Sequence, residues 1–233
     1  MQYYYLLILA FTLSYPLFKS FETKIQFYKK WYALMPAITI AAVLFIAWDI
    51  WFTSMGMWYF NHNYVTGMFL VNLPIEEWLF FFITPFSCVF IYEVLNYFIK
   101  QNVFAKSSKL ISSILIIGLF AIAFLNIEKM YTAFTFIALA SFLIYHQFIN
   151  KSAYLPRFYL TWLICMIPFL IVNGLLTAIP IITYNKLHIL NIRIYTIPIE
   201  DMFYGMLNIL LVISIYEYLK QRKKWNTKYS HIH

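Results

Sequence analysis

Charge is scarce in this sequence. Only 11% of its 233 residues are Asp, Glu, Lys or Arg, against about 25% in ordinary soluble domains. That is too little polar surface to coat a water-exposed fold of this length. Cysteine is scarcer still. Cys88 and Cys165 each sit in an apolar run, with no CxxC and no metal-ligand spacing, so a disulfide framework and a zinc site are both excluded. His62, His146, His188, His231 and His233 form no HExxH or comparable set. No flavin or nicotinamide fingerprint occurs, and no Asp-rich run suited to a magnesium diphosphate, so no cofactor and no prenyl transfer are expected. The first apolar run has no lysine or arginine ahead of it and no small-residue cleavage site. It is expected to stay as a first helix and not to leave as a signal peptide.

What is present is long apolar sequence, 63% hydrophobic overall. The runs approach the roughly 20 residues that a bilayer demands. They predict seven spanning helices: Tyr3 to Phe18, Trp31 to Phe52, Pro74 to Ile99, Leu110 to Leu125, Tyr131 to Ile149, Pro156 to Ile179, and Pro198 to Leu219. The shorter ones need bilayer thinning or packing partners. The net charge of +8 is not arranged for nucleic acid. The basic residues lie between apolar runs, where they set topology and touch anionic lipid heads. Fourteen of them fall after helices one, three, five and seven. Lys129, Lys186 and Arg193 are the three on the other side. This alternation puts the N-terminus outside and the C-terminus in the cytoplasm. The expected fold class is therefore all-α, a polytopic bundle of seven transmembrane helices in the cell (inner) membrane. The stretch Asn61 to Gly67 is polar and suits a hairpin or a surface helix. The tail from Lys220 onward is read as a basic, flexible end near lipid.

The chain also repeats itself at an offset of 124 residues. PIEEWLFF begins at Pro74 and PIEDMFYG at Pro198, IYE occurs at Ile91 and again at Ile215, and Asp49 aligns with Asn173. These matches need no gap. The offset maps helices one to three onto five to seven and leaves helix four as a linker. The implied units are 1–107, 108–127 and 128–233, a parallel three-plus-one-plus-three plan of a kind also found in transporters.

Seven acidic residues lie in predicted helices: Asp49, Glu76, Glu77, Glu93, Glu200, Asp201 and Glu217. An ionised group in hydrocarbon is costly, so such residues face a bundle interior and work there. Glu76, Glu77, Glu200, Asp201, Asp49 and Asn173 are expected to converge near the outer face as the catalytic set. Acids at a helix start also serve as N-terminal charges, but that does not account for two adjacent acids in both copies or for Asp49 near a helix end. Glu93 and Glu217 lie sixteen residues deeper, roughly 24 Å away at 1.5 Å per residue. They suit salt bridges with nearby lysines. Aromatics make up 22% of the chain, and Trp48, Trp51, Phe52, Trp78, Phe80, Phe81, Phe203 and Tyr204 cluster around the acids in sequence. Carboxyls beside aromatic walls suit protonation of an alkene followed by steering of a carbocation.

LPIEEWLFF at 73–81, IPIEDMFYG at 197–205 and the duplication resemble the membrane lycopene cyclases of the fused heterodimer type. The cyclase domain of the fungal bifunctional phytoene synthase/lycopene cyclase is similar. The resemblance implies closure of the linear ends of lycopene to β rings, giving β-carotene via γ-carotene, with no redox change. It matches Glu76 and Glu77 to the first acidic motif, and Glu200 and Asp201 to the second. Trp78 and Met202 stand where phenylalanine is common. The resemblance also implies a lipophilic carotenoid substrate drawn from the bilayer, with other carotenoid-pathway membrane enzymes as candidate partners. Which carboxyl is acid and which is base stays open at this stage, as do β against ε rings. A small-solute or proton-coupled transporter is the main rival. It predicts a polar path across the membrane, where an enzyme predicts an apolar slot open to lipid. A retinal receptor would need a lysine in the last helix, and none occurs between Arg193 and Lys220. An assembly partner for another membrane enzyme would not need matched buried acids.

Overall fold

The computed structural model describes residues 2–229, with side chains as far as Lys223. Seven helices dominate: α1 (Tyr4–Lys19), α2 (Trp31–Ser54), α3 (Ile75–Phe98), α4 (Ser108–Leu125), α5 (Met130–Ile144), α6 (Leu155–Ala178) and α7 (Ile199–Tyr229). A short 3-10 turn, Phe27–Lys30, leads into α2, and a π-turn, Tyr145–Ile149, extends α5. Among the described residues, six helical spans are long and apolar enough to cross a membrane, those of α2 to α7. The protein is an all-α, multi-pass membrane bundle. α1 is apolar but has only 16 residues, about 24 Å of helix against a hydrocarbon core of about 30 Å.

The bundle centres on α3 and α7. α3 packs against α1, α2 and α6, and α7 packs against α2 and α5. α4 lies outside, mainly against α5, and presents Leu110, Ile114, Ile117 and Phe124 outward. Apolar side chains on the outer surface are what a lipid solvent requires. α4 is tied inward by Ser112. Its hydroxyl hydrogen-bonds the Tyr159 hydroxyl at 2.6 Å and donates to Gln147 Oε1 at 2.9 Å. Without water to compete, a buried polar group must find such a partner inside the protein.

The loops between helices add three two-stranded antiparallel pieces. β1 (Trp58–Phe60) pairs with β4 (Ile182–Tyr184), which joins the two longest connections. β2 (Phe69–Leu70) pairs with β3 (Leu73–Pro74), and β5 (Arg193–Ile194) pairs with β6 (Ile197–Pro198). The polar stretch from Asn61 therefore leads into a hairpin and not into a surface helix. Val71 (φ 61°) and Tyr195 (φ 58°) take the left-handed conformation at the same step of the two hairpin turns. That conformation is costly for a β-branched or bulky residue. Each hairpin runs straight into the first turn of α3 or α7, where the acids are.

The elements recur at the 124-residue spacing: α2 and α6, β2 and β5, β3 and β6, and the starts of α3 and α7. The backbone ties recur too. Ile75 N–H donates to the Met68 carbonyl at 2.9 Å, and Ile199 N–H donates to the Ile192 carbonyl at 3.0 Å. The first helices of the halves are slipped by two residues. Tyr5 N–H donates to the Tyr64 carbonyl, while Tyr131 N–H donates to that of His188. The gapless register thus holds from α2 to α3 but not back into α1.

The far ends of α2, α3 and α7 meet at a buried ion cluster. Glu93, 3% exposed, pairs with Lys30, with Lys220 at 2.8 Å and with the Tyr216 hydroxyl at 2.8 Å. Glu217 pairs with Lys220 at 2.8 Å. These are the salt bridges that the lysine-rich flanks suggest. α7 differs from expectation at its end. It continues to Tyr229 because Lys, Gln and Arg are good helix formers, even where hydropathy has stopped. Only residues 230–233 of the expected flexible tail lie outside the described residues.

Candidate active site

Pro74 and Pro198 precede α3 and α7 in extended geometry and start the helices without needing an N–H. The two acids that follow each proline sit in the first turn. Neighbours on a helix point about 100° apart, so each pair splits into two environments.

Glu76 and Glu200 turn toward the loops and are completely buried. Glu76 Oε1 accepts the Thr66 backbone N–H at 2.7 Å. Glu200 Oε1 accepts the Leu190 backbone N–H at 2.6 Å and the Thr132 hydroxyl at 2.6 Å. The other oxygen of each has no hydrogen-bond partner among the described residues. These two carboxyls latch the preceding loops to the helix starts, and neither lines the cavity described below.

Glu77 and Asp201 turn the other way, toward the bundle axis. Glu77 accepts the Tyr5 hydroxyl at 2.6 Å and lies close enough to Asp49 for the two carboxyls to interact electrostatically. Two adjacent buried carboxyls disfavour ionisation of both at once. Asp49 also accepts the Tyr204 hydroxyl at 2.5 Å. Asp201 accepts the Tyr131 hydroxyl on one oxygen at 2.8 Å and the Tyr184 hydroxyl on the other at 2.6 Å. Asp201 is also near enough to Glu77 for the two to repel electrostatically. Burial and the adjacent Asp201 carboxyl hold the Tyr184 hydroxyl well above the usual phenol range, so it stays a hydrogen-bond donor.

These groups form one end of a cavity of about 380 Å³, within the roughly 300–1,000 Å³ of small-molecule sites. Asp49, Asp201, Tyr204 and Asn173 line it, with Asn208 further along. Glu77 stands behind Asp49. The remaining wall is largely apolar and aromatic, with Phe80 and Phe81 from α3 and Trp162 and Phe169 from α6. The cavity reaches the outside of the bundle beside Phe11 and Tyr15 of α1 and Ile171 of α6, which are 75%, 65% and 54% exposed.

Of the six expected residues, Asp49, Asp201 and Asn173 line the cavity and Glu77 lies beside Asp49, while Glu76 and Glu200 turn away to the loops. Of the expected aromatic cluster, Phe80, Phe81 and Tyr204 line the cavity. Trp48 packs on Tyr204 at 5.6 Å, and Phe203 packs away against Phe136 at 4.9 Å. The hydroxyls of Tyr5, Tyr131 and Tyr184 were not foreseen, and Tyr204 was foreseen only as an aromatic wall. A usable signal existed: a buried tyrosine needs a partner for its hydroxyl, and buried carboxyls are the strongest acceptors in such a bundle.

A family profile described as lycopene cyclase matches residues 2–95 and 128–219, leaving out the stretch that contains α4. The bifunctional lycopene cyclase/phytoene synthase of Pyrenophora tritici-repentis (strain Pt-1C-BFP) is 28% identical over 93 residues, 40% of this chain and 15% of that protein. The protein of the same description from Phaeosphaeria nodorum (strain SN15 / ATCC MYA-4574 / FGSC 10173) is 28% identical over 80 residues, 34% of this chain and 13% of that one. The matched stretch is thus a small part of each fungal relative. No solved structure matches the chain. With the family profile covering most of both halves, this membrane protein belongs to the lycopene cyclase family.

Proposed function

We propose that the chain is an isomerising carotenoid cyclase that closes the linear ends of lycopene to β rings, giving β-carotene via γ-carotene. One observation carries this reading. Asp49 and Asp201, one carboxyl from each half, line a single largely apolar, aromatic cavity that also includes exposed apolar side chains of α1 and α6. A transporter needs a polar path from face to face, whereas here the carboxyls are gathered at one end.

In this reading Asp49, which lines the cavity with Glu77 beside it, is the general acid, because two adjacent buried carboxyls disfavour ionisation of both at once. It adds a proton to the terminal double bond of the polyene and forms a C–H bond and a tertiary cation. The neighbouring internal double bond attacks that cation, closing the ring by a new C–C bond and moving the positive charge into the ring. Aromatic faces stabilise both cations without attacking them. Asp201, which accepts two tyrosine hydroxyls, takes the part of the base. It removes a proton from the adjacent ring carbon and leaves the ring double bond. One proton enters and one leaves, so the product is an isomer of the substrate. Return of the proton from Asp201 to the Asp49–Glu77 pair resets the site. Asn173 lines the cavity as a neutral polar neighbour. Glu76 and Glu200 support the site by fixing its loops.

The architecture that goes with this reading is a seven-helix span including α1, with the N-terminus outside and the C-terminus in the cytoplasm. The units 1–107 and 128–233 form two parallel three-helix copies joined by the linker 108–127, in the cell (inner) membrane. The two profile segments and the recurring element spacing support the duplication.

Expression in cells that accumulate lycopene, followed by pigment chromatography, tests the activity. The expected result is conversion of the lycopene peak to γ-carotene and β-carotene. An unchanged lycopene peak with folded protein in the membrane refutes it.

A further inference from the structure

Each half places one residue at the same step of its acid-bearing helix, four positions after the second acid. It is Phe81 on α3 and Gly205 on α7. Phe81 is 2% exposed, and its ring lies 6.0 Å from that of Phe45 on α2. Ile38, 1% exposed, lies two turns earlier on α2. The Phe81 and Phe45 rings pack together between α3 and α2. At the 124-residue spacing, Phe45 and Ile38 correspond to Phe169 and Trp162 of α6. Gly205, Phe169 and Trp162 all line the cavity.

A Cβ added at Gly205 would stand 3.6 Å from Phe169 Cε2 and 3.6 Å from Trp162 Cη2. A methyl group fits there in ordinary contact. A ring like that of Phe81 does not fit without entering the cavity. Gly205 is not in a positive-φ conformation, so the backbone does not demand glycine. A glycine inside a helix costs about 1 kcal/mol relative to alanine. What it offers in exchange is the open wedge.

We propose that Gly205 is a specificity-determining residue. Its missing side chain keeps the α6–α7 wedge open as a seat for one flat end of a conjugated polyene, and Phe81 keeps the equivalent α2–α3 wedge shut. Each chain then seats one polyene end at a time, and a second ring requires release and re-entry of the other end. This rests on the cyclase reading of the same cavity. Ring closure makes the polyene end fold back on itself, which needs width beside the carboxyls. A glycine facing two aromatic rings supplies a flat, wide slot.

The test uses the full chain in lipid nanodiscs with lycopene as the probe. Binding is read as saturable quenching of tryptophan emission, to which the cavity-lining Trp58 and Trp162 contribute. Wild-type protein is expected to saturate at one polyene per chain. Gly205→Phe is expected to weaken binding at least tenfold and cyclisation in step with it. Gly205→Phe combined with Phe169→Ala is expected to recover most of both. Gly205→Leu serves the same purpose if the phenylalanine variant does not fold. Saturation at two polyenes per chain overturns the proposal. So does wild-type binding by a folded Gly205→Phe or Gly205→Leu protein, and so does failure of the Phe169→Ala rescue. Wild-type protein that binds one lycopene without cyclising it refutes the cyclase reading and leaves the seat standing. Full turnover in Gly205→Phe does the reverse.

Discussion

The wedge between α2 and α3 is closed and the wedge between α6 and α7 is open, although the helices start at matching positions 124 residues apart. On α2, Ala33, Ala37 and Ala41 form a buried stripe one turn apart. Small residues let helices in a bilayer approach closely. The matching positions on α6 are Arg157, Thr161 and Cys165, also buried but larger. α2 accordingly seals against both α3 and α7, while α6 meets α3 and leaves room beside α7. Polar groups diverge in the same way: Asp49 on α2 stands opposite Asn173 on α6, and Glu77 opposite Asp201. Under the proposed mechanism, the difference gives one half the proton donor and the other half the proton acceptor with the open seat.

The largest effects should come from removing the groups at the meeting point. A general acid or base contributes roughly 10²–10⁴-fold. Asp201→Asn and Asp49→Asn are each expected to lower ring formation by that order, with lycopene accumulating and the protein still in the membrane. Pigment chromatography normalised to membrane protein checks this. Asp201→Asn should stop the reaction after protonation has become reversible. In heavy water it should therefore allow deuterium into recovered lycopene, which Asp49→Asn should not. Equal behaviour of the two variants would break the division between donor half and acceptor half.

Next in size is a stability effect at the lysine-rich end, where the halves also differ. Glu93 is nearly enclosed and serves two lysines and a tyrosine, while its counterpart Glu217 serves one lysine at a more exposed edge. Removing one partner of a buried ion cluster costs about 3–5 kcal/mol. Glu217 has fewer partners and is less enclosed, so its pair is worth less, toward the roughly 0–1 kcal/mol of a surface pair. Glu93→Gln is therefore expected to lower the thermal midpoint in detergent by many degrees, and Glu217→Gln to change it little. Cyclisation per folded molecule should survive in both.

Much of this was legible before any coordinates. The bounds of α2 and α6 follow from hydropathy and the 124-residue match, because apolar length and flanking lysines are local properties. The acid motifs at Pro74 and Pro198 were legible for the same reason. The split within each motif was not. Glu76 and Glu200 are drawn to the amides of Thr66 and Leu190, and only the folded loops bring those amides near. The tyrosine donors were hidden because Tyr5, Tyr131 and Tyr184 lie on first helices and a loop strand, far in sequence from the acids. The two-residue slip between α1 and α5 further conceals that Tyr5 and Tyr131 do the same job. The end of α7 was misjudged because hydropathy reports the membrane and not the helix.

Tyr204 tests the contact that crosses between halves, from α7 to Asp49 on α2. A hydrogen bond to a charged or proton-sharing carboxyl contributes roughly 1.5–3 kcal/mol. Tyr204→Phe keeps the ring and removes the hydroxyl. It is expected to slow cyclisation by about ten- to a hundredfold while polyene binding stays near wild type. A fall in binding as large as the fall in turnover would make Tyr204 a wall and not a positioning group. Tyr5→Phe, one step further from the cavity behind Glu77, should have a smaller effect of the same kind.

The smallest expected effects separate the latches. Glu76→Ala frees one backbone N–H, that of Thr66. Glu200→Ala frees the Leu190 N–H and the Thr132 hydroxyl together. Each group left buried without a partner costs about 1–3 kcal/mol, so Glu200→Ala should destabilise more than Glu76→Ala. Thermal midpoints in detergent give that order. Activity should follow folded protein in both, because neither carboxyl lines the cavity. Hydrogen exchange sharpens the test: Leu190 and its loop should exchange faster only in Glu200→Ala, and Thr66 only in Glu76→Ala. If either variant instead loses cyclisation while fully folded, that acid reaches the substrate, and the division of each pair into one latch and one reacting carboxyl is wrong for that half.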